Sequence, residues 1–405
     1  MKTERIPATI KKYLAKRGVF RDVIPADPPA RPIASVVVIP AMREAAYVPA
    51  TLASLAASPA AELEKTLVLV VVNRPVSSSR DVEADNQGTL DWLARDGAAT
   101  LPDLRWVDAT SPGRELPGHG GVGLARRIGC DSALKLLSQN ESADLAPLIL
   151  AHLDADTVAA EDYVTQLHRL PAGRLAFTFS YSHSPAESAA AQAAIDAYEL
   201  YLTYMVTGLR RAGSPYAFQT VGSAMASTAE MYCLAGGMPV KRQAGEDFYF
   251  LQECAKVGNV IDAPKVRVFP SPRISRRVPF GTGPRMAEAL EADVAQTAPD
   301  PQAFQELETF LRLLDTACVQ RPPALTECLP DWVGSVEALN KLDVVWGKLS
   351  RQCKTADHLR REFDRWFDGL ATIRFIRQRG ERDRSPLPVH EAWETLTALK
   401  PNHLI

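Results

Sequence analysis

The sequence lacks long hydrophobic runs and paired cysteines. No apolar run approaches the roughly 18 residues that a membrane-spanning helix needs, and the first residues, MKTERIPATIKKYLAKRG, lack the apolar core of a signal peptide. The six cysteines are scattered without a C-x-x-C pair, which argues against a zinc site and a disulfide framework. We therefore expect a cytoplasmic protein, and the basic N-terminus leaves peripheral attachment to the inner membrane face open.

The chain also lacks an excess of charge of either sign. Its formal net charge is −2, so we expect no nucleic-acid partner. A length of 405 residues, with 46% hydrophobic and 23% charged residues, is typical of a soluble protein with two or three domains. We predict an N-terminal helical arm over 1–33, an α/β domain over 34–285 and a helical region over 286–405.

Short apolar runs alternate with helical patterns in the first half of the chain, which predicts a mostly parallel sheet. The predicted strands lie at 34–40, 66–72, 104–108 and 147–153, and the helices between them near 48–57, 88–95 and 122–138. Beyond residue 160 we predict helices near 161–169, 186–211 and 247–256, a strand at 175–182, a strand pair or edge at 259–269, and only helices from about 286 onward.

Residues 118–129 read GHGGVGLARRIG and fit the dinucleotide pattern G-x-G-x-x-G at Gly118, Gly120 and Gly123. That fingerprint needs a strand directly before its first glycine. The preceding predicted strand ends near residue 108, which is about ten residues too early, so we disfavour a dinucleotide site. A glycine-rich loop that enters a helix still suits phosphate, and Arg126 and Arg127 add positive charge there.

Two aspartates follow the fourth predicted strand in the stretch HLDADT. Ligands of parallel α/β sheets bind at the carboxyl ends of strands, and residues two apart can project to the same side. Asp154 and Asp156 therefore suit a Mg²⁺ or Mn²⁺ site, with a solvated turn as the alternative. We expect neighbouring His152 to be a core residue rather than a ligand.

Glu246 and Asp247 follow Gly245 just before a helical pattern. Acidic residues are favourable in the first turn of a helix because they oppose its positive end. A carboxylate at the rim of the sheet can also act as a general base. The spacing alone leaves both interpretations open.

Five motifs in this order resemble family 2 glycosyltransferases over roughly 34–285. They are VVVIPAMREAAYVPATLASL from residue 36, G-x-A-R-R-I-G at 123–129, HLDADT at 152–157, GSAMA at 222–226 with GG at 236–237, and GED at 245–247. The resemblance implies a GT-A fold, which is a Rossmann-like, mostly parallel sheet flanked by helices, here with a C-terminal helical extension. It implies inverting transfer from a nucleotide-diphosphate-sugar to a hydroxyl of a saccharide, lipid or small molecule, with a divalent cation (Mg²⁺ or Mn²⁺).

The resemblance also implies roles for single residues. Asp156 would coordinate the metal, Asp154 would contact metal or ribose, and Asp247 would be the catalytic base with Glu246 as its neighbour. The implied nucleotide-sugar contacts are Pro40, Ala41, Glu44, Gly123 and Arg126. Relatives usually end the second strand in an aspartate that contacts the base, whereas this chain has Asn73, which leaves guanine or another base open.

An Arg/Gly loop, SPRISRRVPFGTGPR, replaces the Q-x-x-R-W segment of many relatives. Arg276 and Arg277, with Arg273, suit a loop that folds over a diphosphate, and a basic surface loop is an equal alternative.

Two other functions stay open. A nucleotidyltransferase on a similar sheet would place a G-G loop directly after the first strand, where this chain has AMRE. A non-catalytic nucleotide-binding protein would have lost its acidic residues, whereas Asp154, Asp156 and Asp247 are present.

Overall fold

The computed structural model describes residues 6–118, 120–140, 143–240, 245–274, 281–291 and 295–399. The chain forms two compact units. The first consists of Met1–Ala186 and Thr220–Pro284, and the second of Glu187–Gln219 and Arg285–Ile405. The long helix predicted at 186–211 thus groups with the C-terminal helices, outside the α/β unit. The predicted domain limits at residues 33 and 285 stay a prediction.

The strands are β1 Val23–Ile24, β2 Ser35–Ala41, β3 Thr66–Asn73, β4 Leu104–Ala109, β5 Ile149–His152, β6 Val158–Ala159, β7 Leu175–Tyr181, β8 Met225–Thr228, β9 Asn259–Phe269, β10 Thr297–Ala298 and β11 Leu387–Pro388.

The α-helices are α1 Ala8–Arg17, α2 Val48–Ala56, α3 Ala60–Leu63, α4 Arg80–Arg95, α5 Val122–Leu137, α6 Tyr163–Leu167, α7 Ala189–Arg211, α8 Ala229–Ala235, α9 Glu246–Val257, α10 Thr282–Glu291, α11 Gln302–Gln320, α12 Leu342–Gln352, α13 Ala356–Trp366, α14 Gly369–Arg377 and α15 Val389–Ala398. Short 3-10 helices lie at Gly97–Ala99, Thr326–Cys328, Asp331–Ser335 and Glu337–Leu339, and a π-helical turn at Gln378–Arg382.

One sheet organises the first unit, in the order β1-β4-β3-β2-β5-β8-β7-β9-β6. Strands β2, β3, β4, β5, β7 and β9 point the same way, and β8 runs antiparallel between β5 and β7. Every residue of β2 and β3 is buried, as expected for strands with helices on both faces. The predicted fold class is confirmed: an α/β protein with a mostly parallel, helix-flanked sheet and a helical C-terminal region.

Two parts of the sheet differ from the prediction. Strand β8, Met225–Thr228, lies where we predict no strand, because the sequence there has no apolar, β-branched run. Residues 259–269 form the single strand β9, which pairs in parallel with β7, rather than a strand pair. The predicted N-terminal arm also contributes β1 to the sheet edge, where it pairs with β4.

Helix α5 lies close against the sheet because of Gly129. A Cβ at this position would lie 2.4 Å from Val38 Cγ1 and 3.1 Å from Val71 Cγ2. Only glycine allows this approach. The close packing sets the N-terminal end of α5 beside the edge at which β2, β3 and β5 end.

A buried carboxylate on α5 anchors the N-terminal helix. Asp131 accepts hydrogen bonds from the Tyr13 and Tyr232 hydroxyls, at 3.0 and 2.8 Å, and from the Val19 amide at 2.8 Å. Burial raises the pKa of Asp131 to about 6, against the opposing hydrogen bonds. Helix α1 is therefore bound to the α/β unit through its Tyr13 side.

The second unit has its own aromatic core. Phe310 lies 5.3 Å from Phe367 and 6.2 Å from Phe375 between ring centroids. Helices α13 and α14 are separate, because the Asp368 carboxylate caps α14 by accepting from the Leu370 and Ala371 amides. The prediction of helices alone is wrong in one detail, since β10 and β11 pair. Among the described helices, none combines the length and apolar character that crossing a membrane requires.

Candidate active site

Both aspartates of HLDADT lie in the turn after β5. The Thr157 amide donates to the Asp154 carbonyl at 3.1 Å, and the Thr51 hydroxyl of α2 donates to the Ala155 carbonyl at 2.8 Å. Ala155 is buried, whereas the Asp154 and Asp156 side chains are 37% and 18% exposed. The turn thus fixes two carboxylates at the carboxyl edge of the sheet.

A fully buried arginine joins this turn to the start of α9. Arg126 Nη2 donates to Asp154 Oδ1 at 2.5 Å, and Arg126 Nε donates to Glu246 Oε1 at 3.2 Å. Burial opposes the charged form, but Asp154 and Glu246 outweigh it and raise the pKa of Arg126. Arg126 therefore stays cationic and connects carboxylates that lie 28 and 120 residues from it in the chain.

Two glycines make this arrangement sterically possible. A Cβ on Gly123 would lie 2.5 Å from the Pro239 carbonyl oxygen and 2.9 Å from Glu246 Cβ, and one on Gly222 would lie 2.6 Å from Arg126 Nη2. Glycine at these positions lets α5, α9 and the segment before β8 come together. The structure thus gives Gly123 a packing role, and its contact with a nucleotide stays a prediction.

Glu246 and Asp247 begin α9, after Gly245 with a φ of 97° as the N-cap. Asp247 is half-buried, and its Oδ1 accepts from the Phe248 amide at 2.8 Å. Burial, with the negative charge of Glu246, raises the pKa of Asp247 to about 7, although Arg126 opposes the shift. A carboxyl group with this pKa is matched to proton transfer at neutral pH.

A second arginine, in the segment after β9, joins the loop after β2 to the turn after β5. Arg273 Nη2 donates to Glu44 Oε1 at 2.5 Å, and Arg273 Nε lies 2.7 Å from Asp156 Oδ2. Its guanidinium carbon lies 4.3 Å from the centroid of the Tyr47 ring. Neither Tyr47 nor this bridge is predicted from the sequence, because Glu44 and Arg273 are separated by 229 positions.

The remaining predicted nucleotide contacts lie deeper. Pro40 and Ala41 are buried at the end of β2. Asn73 is buried at the end of β3, with its carbonyl accepting from Asn86 Nδ2 at 3.0 Å, and its side-chain Oδ1 has no hydrogen-bond partner among the described residues. Arg276 and Arg277 lie outside the described residues.

His152 is completely buried in β5 and packs edge-on against Phe250, with the ring centroids 6.2 Å apart. Burial, with the nearby charge of Arg126, holds the pKa of His152 well below its usual value. The ring is therefore neutral and belongs to the packing between the sheet and α9.

The side chains at the carboxyl edge of the sheet offer carboxylate oxygens, which are hard ligands. Among the described residues, no group of three His, Cys, Asp or Glu side chains is close enough to enclose a metal ion. In the part of the chain that the structure describes, five carboxylates lie around two guanidinium groups, so the acidic members of this set outnumber the basic ones by three when all are ionised. They are Glu44, Asp154, Asp156, Glu246 and Asp247, around Arg126 and Arg273. Such a set fits a divalent cation that brings further oxygen ligands with it.

No protein-family model matches the chain, and no curated protein matches it. Among solved structures, it is similar to the mannosyltransferase PcManGT from Pyrobaculum calidifontis in complex with GDP-Man and Mn²⁺, with 18% identity, a TM-score of 0.40, and coverage of 88% of this chain and 92% of that one. It is also similar to S. aureus TarS 1-349 in complex with UDP-GlcNAc, with 11% identity, a TM-score of 0.37, and coverage of 82% and 91%. At these scores the likeness adds nothing to what the geometry of this chain itself supports.

Proposed function

We propose that this chain is a family 2 glycosyltransferase of GT-A type that moves a hexosyl group from a nucleotide-diphosphate-sugar to an acceptor hydroxyl, with inversion. One observation carries the proposal. Arg126 holds a carboxylate of the strand end, Asp154, and the start of α9, where Asp247 has a pKa of about 7. Asp154, the proposed metal ligand, and the helix start that carries Asp247, the proposed base, are thereby held in one hydrogen-bond network.

The donor is assigned to the edge formed by β2, β3 and β5. Glu44, Asn73 and Asp154 follow or end these three strands, and a crevice at the carboxyl ends of parallel strands is where such sheets bind ligands. The nucleoside would lie toward Pro40, Ala41 and Asn73. The diphosphate would lie toward Asp154 and Asp156. Arg276 and Arg277 follow closely in sequence after Arg273, which contacts Asp156.

Asp154 and Asp156 would hold a Mg²⁺ or Mn²⁺ ion together with the diphosphate. When bound, such an ion stabilises the negative charge that grows on the departing nucleoside diphosphate. Arg126 contributes differently in this assignment. Because it is fully buried and bonded to Asp154 and Glu246, it orients these two carboxylates and does not itself contact the diphosphate.

Asp247 would accept the proton of the acceptor hydroxyl. The acceptor oxygen forms a bond to the anomeric carbon while the bond from that carbon to the diphosphate oxygen breaks, and the proton passes to the Asp247 carboxylate. This single displacement inverts the anomeric centre. It requires Asp247 to be ionised at the start, so its raised pKa places the working range near and above neutral pH.

Thermal-shift measurements with UDP, GDP, CDP and dTDP, each with and without Mn²⁺, identify the nucleotide. A ligand that binds only the folded chain raises the melting temperature, so we expect one nucleotide to do so in a Mn²⁺-dependent way. The corresponding nucleotide-sugar is then tested for turnover with wild type, Asp156→Ala and Asp247→Asn.

We expect turnover to be lost in both variants, whereas Asp247→Asn keeps nucleotide binding. Asp162→Asn serves as the matched control, because it removes one half-buried carboxylate whose partners, Gln166 at 3.0 Å and Arg267 at 3.6 Å, are not residues of the candidate site. Undiminished turnover in Asp247→Asn contradicts the base assignment. Release of pyrophosphate from a nucleoside triphosphate identifies a nucleotidyltransferase, and the absence of any nucleotide binding identifies a different class of protein.

A further inference from the structure

Arg273 supplies a positive charge to Asp156, a candidate metal ligand, and to Glu44. Its Nε lies 2.7 Å from Asp156 Oδ2, and its Nη2 lies 2.5 Å from Glu44 Oε1. The same guanidinium stacks over the ring of Tyr47. One planar group thus satisfies two carboxylates that come from separate loops.

This arrangement opposes the binding of a metal ion to Asp156. Mg²⁺ and Mn²⁺ hold carboxylate oxygens at about 2.0–2.2 Å, so an ion on Asp156 and a guanidinium at hydrogen-bond distance compete for the same carboxylate. The two positive charges also repel one another at such separations. Glu44 differs from Asp156, because only 7% of its side chain is exposed, so moving Arg273 away would take a positive partner from a buried carboxylate.

We propose that Arg273 is a stand-in cation: it neutralises Asp156 until a divalent cation and a nucleoside diphosphate bind, and then turns from Asp156 to the diphosphate while remaining on Glu44. The inference presupposes the donor site proposed above. A guanidinium suits both positions, because its fork of N–H groups binds carboxylate and phosphate oxygens equally well.

The proposal predicts effects of opposite sign on two ligands. Removing Arg273 removes a competitor for Asp156, so Mn²⁺ alone binds more tightly. It also removes a contact to the diphosphate, so the nucleoside diphosphate binds more weakly in the presence of saturating Mn²⁺. Loss of a purely structural ion pair gives no effects of opposite sign, because it weakens the binding of both ligands or of neither.

The test is titration of the full-length chain with Mn²⁺ alone, followed by paramagnetic resonance of the free ion. It compares wild type, Arg273→Gln, Arg273→Lys and the control Arg267→Gln, whose side chain is 56% exposed and pairs with Asp162. We expect Arg273→Gln to bind Mn²⁺ about tenfold more tightly, Arg273→Lys to lie between it and wild type, and the control to match wild type. Calorimetry with UDP and with GDP at saturating Mn²⁺ is expected to show weaker binding in Arg273→Gln.

Unchanged or weaker Mn²⁺ binding in Arg273→Gln overturns the inference. If that variant fails to fold, Arg273→Lys decides, because lysine keeps the charge but cannot bridge two carboxylates with a planar fork; wild-type Mn²⁺ affinity in this variant then overturns the inference. Failure of the proposed function looks different, because wild type itself then binds neither UDP nor GDP with Mn²⁺.

Discussion

Replacing Gly129 by alanine tests how closely α5 approaches the sheet. The new Cβ would lie 2.4 Å from Val38 Cγ1 and 3.1 Å from Val71 Cγ2, both in fully buried strands. Gly88 is a matched control. It also lies inside a 16-residue helix, α4, but an added Cβ there meets nothing within 4 Å.

Both substitutions replace a glycine inside a helix by alanine, so both raise the helix propensity by the same amount. Alanine in a helix interior is favoured over glycine by about 0.8–1.0 kcal/mol, so Gly88→Ala is expected to raise the free energy of unfolding by about that amount. Overpacking a core costs about 1–3 kcal/mol. Gly129→Ala is therefore expected to range from neutral to about 2 kcal/mol destabilised.

Urea unfolding of both variants under identical conditions measures the comparison. The quantity of interest is the difference between the variants, about 1–3 kcal/mol, because the helix-propensity contribution cancels in it. Equal stabilisation by both alanines would refute the reasoning, since it would mean that α5 lies farther from β2 and β3 than the structure places it.

Four further predictions concern the candidate site and the N-terminal helix. Because folding raises the pKa of Asp247 from 3.8 to about 7, the folded chain favours the protonated form, and its stability falls as the pH rises through this window. Asp247→Asn is therefore expected to melt at a higher temperature than wild type at pH 8 and at a similar temperature at pH 4. A difference in melting temperature that is the same at both pH values would contradict the shift. In the same window the turnover of wild type is expected to rise with pH and level off above about 7, measured as kcat/KM, and an inflection near pH 4 would speak against Asp247 as the base. Gly123→Ala is expected to lower turnover with little effect on Mn²⁺ binding, because its Cβ would displace Pro239 and Glu246 and leave Asp154 and Asp156 in place. An equal loss of turnover and of Mn²⁺ binding would contradict the assignment. Asp131→Asn weakens the anchor of α1 at Tyr13 and Val19, so trypsin is expected to cut faster after Lys16 and Arg17, and wild-type cleavage rates would show that α1 is held elsewhere.

Local sequence signals were sufficient for the centre of the sheet. The runs SVVVIPA and TLVLVVVN are buried at every position, so their apolar, β-branched character alone identifies them as strands covered on both faces. Strand β8 had no such signal. Only Met225 among its four residues, Met225–Thr228, is large and apolar, and these residues form a strand because they pair with β5 and β7, which is a property of distant segments.

The candidate site shows the same limit at the level of single residues. Sequence motifs selected Asp154, Asp156 and Asp247, and the first two lie after β5 at the carboxyl edge of the sheet, as that interpretation requires. The arginine partners of these carboxylates cannot be predicted from the sequence. Arg126 and Glu246 are 120 positions apart, and Arg273 and Glu44 are 229 positions apart, so no spacing rule relates them.

The two arginines carry the same charge but differ in what surrounds them, and this difference assigns their roles. Arg126 is fully buried between Asp154 and Glu246, so reaching a phosphate would leave Glu246 as an uncompensated charge in the interior, at a cost of several kcal/mol. Arg273 is 22% exposed, and one of its partners, Asp156, is itself a candidate metal ligand. A cation bound to Asp154 and Asp156 competes with both arginines, but only the Arg273 side chain is partly exposed and can turn toward a ligand, whereas the Arg126 side chain is 2% exposed. Of the two, Arg273 is therefore the residue that can follow the ligand, and Arg126 the one that holds the carboxylates still.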